Sequence, residues 1–270
     1  MSLFTKSAVK GLAGRVLVLM LLLPLAQVSA ETAQEKGLAI AQELERRDDG
    51  FGDARADMKM ILTNRQGEES VRDIRLRMLE VPGDGDKSMS IFDRPADVKG
   101  TAMLTWSHKV ESDDQWLYLP ALKRVKRIAS RNRSGSFMGS EFAFEDLGSQ
   151  ETEKFTYQYI KDEVLNDLDC VVIERDPVDR YSGYKRQLVW IDKAEYRLQK
   201  IEFYDRKDSL LKTLTYTGYH QFLNKYWRAE EMFMSNHQTG KSTKLLWSDY
   251  RFGNGFKEGD FTHNSLKRMR

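Results

Sequence analysis

The sequence predicts a mainly β fold: one long antiparallel sheet that curls, with a little helix and a loop laid over it. Three observations predict it. Short strand-like segments follow one another from residue 54 to residue 252, most are joined by tight turns, and a single helical pattern precedes them. A meandering sheet of that many strands does not stay flat.

The helix comes first in chain order. Residues 32–47, TAQEKGLAIAQELERR, place Leu38, Ile40, Ala41 and Leu44 at near-helical spacing with Glu and Arg on the remaining face, and DDGFGD stops the pattern. Strand signals then occupy 54–64, 70–81, 88–92, 101–107, 115–119, 155–161, 170–175, 185–191, 198–204, 211–220, 227–235 and 242–252. In DMKMILT and DIRLRML, Met58, Met60 and Leu62, then Ile74, Leu76 and Met78, alternate onto one face. NRQGEE, PGDGD, YDRKDS and HQTGKS read as hairpin turns between strands. Residues 129–150, ASRNRSGSFMGSEFAFEDLGSQ, are longer than any hairpin turn and carry Phe137, Met138, Phe142, Phe144 and Leu147. A loop with its own aromatics packs on something, so it reads as a short helical or irregular cover over the sheet.

Residues 1–30 read as a cleavable secretory signal. Lys6, Lys10 and Arg15 precede an apolar run over 16–26, and Val28, Ser29 and Ala30 suit signal-peptidase cleavage. The run is short for a membrane span and no second one follows. A mature chain of 31–270 as one domain, located in the periplasm, is the expectation. Its one cysteine, Cys170, sits in the strand-like DCVVIE, where a buried and inert thiol is expected. The three basic residues leave with the signal and no acid does, so the formal charge moves from +2 to −1. A dedicated nucleic-acid binder is more often basic overall, which argues against nucleic acid as a partner.

One local basic run stands out on this balanced chain. DDQWLYLPALKRVKRIASRNR, residues 113–133, passes from aromatic and aliphatic residues into Lys123, Arg124, Lys126, Arg127, Arg131 and Arg133 with no acid after Asp114. A solvated edge strand or loop explains it plainly. Anionic lipid headgroups or an acidic protein surface are the partners such a patch suits, with Lys123, Arg124, Lys126 and Arg127 at a docking rim.

Chemistry-bearing motifs are absent. His108, His220, His237 and His263 show no metal-ligand spacing, SGSFMGSE is not a nucleophile elbow, and no glycine-rich phosphate loop occurs. No catalytic residue, metal or cofactor is therefore nominated, and the expectation is a non-enzyme. What remains is the apolar load on alternating strands. Met58, Met60, Met78, Met89, Met103, Met232 and Met234, with Trp106, Trp116, Trp190, Trp227 and Trp247, exceed what one helix and one cover loop can fill, and Met-rich linings adapt to ligands of varied shape.

Four segments carry a family resemblance. WLYLPALKRVKRI at 116–128, FMGSEFAFEDL at 137–147, LVWIDKAEYRLQKIEFYD at 188–205 and GFKEGDFTHNSL at 255–266 resemble the outer-membrane lipoprotein-sorting protein family, related in fold to the periplasmic carrier LolA. The resemblance implies a curved LolA-like antiparallel half-barrel covered by helices and enclosing a hydrophobic cavity. It implies a periplasmic carrier of lipid or acylated protein cargo between inner and outer membrane, with an RND-type inner-membrane exporter and an outer-membrane acceptor as partners. We expect a monomer in transient membrane contact. Its cavity would be lined by Met58, Met60, Leu62, Ile74, Leu76, Met78, Met103, Trp106, Trp116, Tyr118, Phe137, Met138, Phe142 and Phe144. The alternatives are a lipid-sensing envelope regulator of the same cavity fold and an enzyme acting on a hydrophobic substrate.

Overall fold

The architecture was taken from a computed structural model, which describes residues 1–3 and 31–268. The expected signal, apart from its first three residues, lies outside the described residues. A helix α1 (Ala33–Asp48) is followed by β1 (Asp53–Thr63), β2 (Glu69–Leu79), β3 (Lys87–Arg94), β4 (Ala102–Trp106), β5 (Asp114–Leu119) and β6 (Arg124–Ile128). After a cover loop at 129–154 come β7 (Phe155–Leu165), β8 (Leu168–Pro177), β9 (Tyr184–Asp192), β10 (Leu198–Asp205), β11 (Leu210–Phe222), β12 (Tyr226–Asn236), β13 (Ser242–Phe252) and a short α2 (His263–Arg268). No helix among the described residues is long and apolar enough to cross a membrane.

The strands form one antiparallel sheet in the order β6-β5-β4-β3-β2-β1-β13-β12-β11-β10-β9-β8-β7. Two meanders meet where β1 pairs with β13, Met58 opposite Trp247 and Met60 opposite Leu245. The chain walks outward from β1 to β6, and the cover loop then carries it to the opposite edge at β7. The strand absent from the sequence reading is β6. It is an edge strand of mostly exposed basic residues, so burial imposes little alternation on it.

The sheet is strongly curled, and the side chains show by how much. Ser112, in the β4–β5 turn, donates from Oγ to Asp179 Oδ2 in the β8–β9 turn at 3.5 Å. In the sheet order β4 and β9 are eight strand spacings apart, about 38 Å if flat at ~4.8 Å each. Arg133 of the cover loop completes the bridge, with Nη1 3.4 Å from Asp113 and Nη2 on Asp179. Arg133 thus leaves the basic run for a buried network, in which Lys154 also reaches Asp113 at 2.6 Å.

Helix α1 starts at a capping box: Glu35 N–H donates to Thr32 Oγ1, and Thr32 N–H donates to the Glu35 carboxylate. Its buried face is Gly37, Ile40 and Ala41, with Leu44 packed on the core. Leu38 is exposed, a correction to the apolar stripe expected from sequence. Gly37 replaces it because the helix lies directly on β7: a Cβ there would stand 2.8 Å from Gln158 C and Tyr159 N. One helix and the cover loop therefore share the inner face, while α2 packs near β4 and β5.

Candidate functional site

The inner face is filled unevenly. Over the first meander the cover loop plugs it. Phe137 is 1% exposed, its ring 5.8 Å from Phe92 and 5.7 Å from Phe144. Met58, Met60, Ile74, Met103, Phe137 and Phe142 are buried in this main cluster, and Leu62, Leu76, Met138 and Phe144 pack against it. The loop holds itself closed, with Phe137 N–H donating to the Phe142 carbonyl at 2.7 Å.

Over the second meander the space is not filled. A cavity of about 990 Å³ lies between α1 and the strands β7 to β13. Ala41 and Leu44 line it from the helix, with Ile173, Val189, Ala229, Met232, Trp247 and a row of tyrosines from the sheet. A second cleft of about 470 Å³ is lined by Phe142, Tyr184 and Lys212 beside the cover loop.

The expected lining residues thus divide. Met78 lines the large cavity and Phe142 the small cleft. Trp106, Trp116 and Tyr118 lie on the opposite face of the sheet, and this corrects their expected orientation. In DQWLYL the alternation turns Leu117 and Leu119 to the main cluster and Trp116 and Tyr118 to a second one. There Phe261 and Leu266 of the C-terminal segment cover them, and Trp106 Nε1 donates to the Phe261 carbonyl at 2.8 Å. Both faces of β4 and β5 are buried, so hydrophobicity could not tell inside from outside. Cys170 is fully buried in a third cluster with Val172 and Trp190, and burial pushes its thiol up.

The cavity residues that sequence reading missed are mainly Tyr157, Arg175, Tyr216, Tyr219 and Tyr250. Burial raises all four tyrosine hydroxyls, Tyr157 to about 12. They stay neutral donors and acceptors at any physiological pH. Trp247 Nε1 is buried without a hydrogen-bond partner among the described residues. The one legible signal was Arg175, which shares the inward face of β8 with Val171 and Ile173.

The cavity wall near α1 is acidic. Burial, with Glu151 and Glu80 nearby, pushes the Asp86 carboxyl up to about 7, and burial likewise raises Glu151. Burial acts the same way on Glu45, but bonds from Thr152 and Lys109 hold its carboxyl below the usual range. Glu45, Glu151 and Glu153 bring carboxylate oxygens within 4.8 Å of one another. Lys109 and Thr152 already donate to Glu45.

The basic residues of β6 do not line this cavity. Lys123, Arg124, Lys126 and Arg127 lie on and beside the free edge strand, and Arg127 pairs with Asp114.

A family model described as an uncharacterized protein matches residues 84–268. Among solved structures, a domain from Vibrio parahaemolyticus assigned as an outer membrane lipoprotein-sorting protein is 61% identical, at a TM-score of 0.86, over 87% of this chain and 100% of that one. The chain belongs to the outer membrane lipoprotein-sorting protein family. A DUF1329 family protein from Desulfovibrio piger is 28% identical, at a TM-score of 0.83, over 87% of this chain and 99% of that one. A LolA superfamily protein from Nitrosomonas europaea, 21% identical with a TM-score of 0.68, covers 87% of this chain and 99% of its own and gives the sorting-protein chain its fold. The open antiparallel sheet with few helices is that LolA-like fold. A comparison with curated proteins finds no match.

Proposed function

We propose that this protein is a periplasmic carrier that takes the acyl chains of a lipid or lipoprotein into the cavity under α1 and moves them between inner and outer membrane. The observation that carries the reading is the unfilled space of about 990 Å³ beside Ile173, Val189, Met232 and Trp247, in a chain of this family. Exposing an acyl chain to water costs about 0.8 kcal/mol per CH₂. The aliphatic and aromatic part of the cavity wall offsets part of that cost without holding the chain more tightly than a bilayer does, so the cargo can be released.

Lys123, Arg124 and Lys126 lie beside the exposed Leu122, and none of the three cations has a carboxylate partner among the described residues. Such a basic and apolar edge suits transient contact with anionic headgroups. It also suits docking on an RND-type exporter or an outer-membrane acceptor.

Native mass spectrometry of the protein purified gently from a Gram-negative periplasm, followed by extraction of what it holds, tests the reading. A stoichiometric lipid or acylated peptide is expected. A bare protein mass together with no uptake from lipid vesicles would overturn it.

A further inference from the structure

The cavity wall contains a buried cation that the protein leaves unanswered. Arg175 is 6% exposed, yet no carboxylate lies within 4.0 Å of it among the described residues. Its Nε donates to Gln187 Oε1 at 2.8 Å and its guanidinium stacks over the Phe155 ring at 4.5 Å. Those contacts fix the plane of the group and leave the Nη edge without a partner among the described residues. Arg175 lines the large cavity with Tyr157, its cross-strand neighbour on β7, and Tyr216 of β11.

The other cations lining the cavity pair with carboxylates, except the solvent-exposed Lys225. Arg46 and Arg47 bond Glu43, Lys109 bonds Glu45, Arg197 bonds Asp192, and Arg228 bonds Asp48. Lys225 donates to the Asp49 carbonyl. Asp146 is already bound to Lys212 at 2.8 Å. An uncompensated buried charge costs several kcal/mol, and burial accordingly depresses the Arg175 guanidinium. A carrier that needed only an oily interior would place a neutral residue on this face of β8.

We propose that Arg175 is an anion-binding site inside the cavity, which pairs with the carboxylate or phosphate of an acyl-chain amphiphile that enters head first. The open Nη edge suits an oxyanion with two oxygens in plane. The neutral hydroxyls of Tyr157 and Tyr216 line the same cavity and can donate to it. The inference rests on the carrier reading and adds to it: the cargo is anionic, and its charged end goes inward.

The test measures binding of oleate, methyl oleate, monoolein and dioleoyl phosphatidate to the purified protein and to Arg175→Gln and Arg175→Lys, by titration calorimetry or by quenching of tryptophan emission. For the unaltered protein, oleate or phosphatidate should bind at least about tenfold more tightly than methyl oleate or monoolein. Arg175→Gln should remove that advantage while it leaves the neutral lipids unchanged, and Arg175→Lys should restore part of it. An advantage for oleate alone assigns a carboxylate, and one for phosphatidate alone a phosphate. Equal affinity of the unaltered protein for anionic and neutral lipids would overturn the inference yet leave the carrier standing. No binding of any of the four would overturn the carrier reading itself. The ligand series on the unaltered protein decides the matter even if a variant fails to fold.

Discussion

Lys212 Nζ lies 2.8 Å from Asp146 Oδ2, and both side chains are almost wholly excluded from solvent. Asp146 belongs to the cover loop and Lys212 to β11, so the pair nails the loop to the second meander. Tyr184 Oη donates to the same carboxylate at 2.9 Å, and Lys212 Nζ donates also to the Glu141 carbonyl. Breaking a buried pair by removing one partner leaves the other charge stranded. Asp146→Asn and Lys212→Met should each lower the unfolding free energy by about 3–5 kcal/mol. The midpoint shift in denaturant at constant slope measures this. A loss below about 1 kcal/mol would mean that the loop is not anchored there.

The same anchoring bears on whether the cover loop is a lid or a wall. Phe137 and Phe142 are buried in the main core, and an isolated bridge joins Ser136 to Ala143. Amides of 136–144 should resist hydrogen exchange equally with and without cargo. Protection that appears only on loading would make the loop a gate.

Asp86 gives the cavity wall a pH dependence. Its carboxyl rises from the ordinary 3.8 to about 7 because burial disfavours the charge, with Glu151 and Glu80 adding repulsion. Between those values the folded protein holds a proton that the unfolded chain has lost. The contribution to stability is therefore largest below about pH 4, falls as pH rises, and reaches its full penalty above about pH 7. Asp86→Asn should raise the melting temperature at about pH 8 and change it little at about pH 4 or below. An equal effect at both would contradict the assignment.

Gly37 tests the seat of α1. Alanine is the better helix former by about 1 kcal/mol, but a Cβ at this position meets the β7 backbone at 2.8 Å. Backbone cannot swing aside as a side chain can. Gly37→Ala should destabilise the protein by about 1–3 kcal/mol in thermal or chemical unfolding, and a gain in stability would show that the helix does not rest on β7.

The basic edge predicts a change in binding without a change in fold. Lys123, Arg124 and Lys126 are exposed, so changing all three to Ser should leave the melting temperature within about 1–2 °C. Flotation with anionic vesicles should fall and should be weaker still in high salt. Undiminished flotation would return these residues to the plainer role of charges that keep an edge strand from pairing.

Alternation made most of this fold readable. Met58 and Met60 on β1 face the core as their spacing requires, because one side of that strand is buried and the other is not, and Ile74 and Leu76 on β2 join the same cluster. The reading failed where that asymmetry fails. Trp116 and Tyr118 lie on a strand buried on both faces, and Arg124 to Arg127 on one exposed at an edge.

Local sequence, then, determined every strand but β6, the single opening helix, the packed nature of the 129–150 loop and the family. Local spacing records only which residues share a face, and it carries that information whatever lies across from them. Which half of the inner face is plugged and which is hollow depends on partners far apart in the chain: Phe137 on Phe92, Asp146 on Lys212, Ser112 against Asp179 around the curl. Only the curl of the sheet set Arg175 in the wall of the unfilled half, without a carboxylate beside it among the described residues.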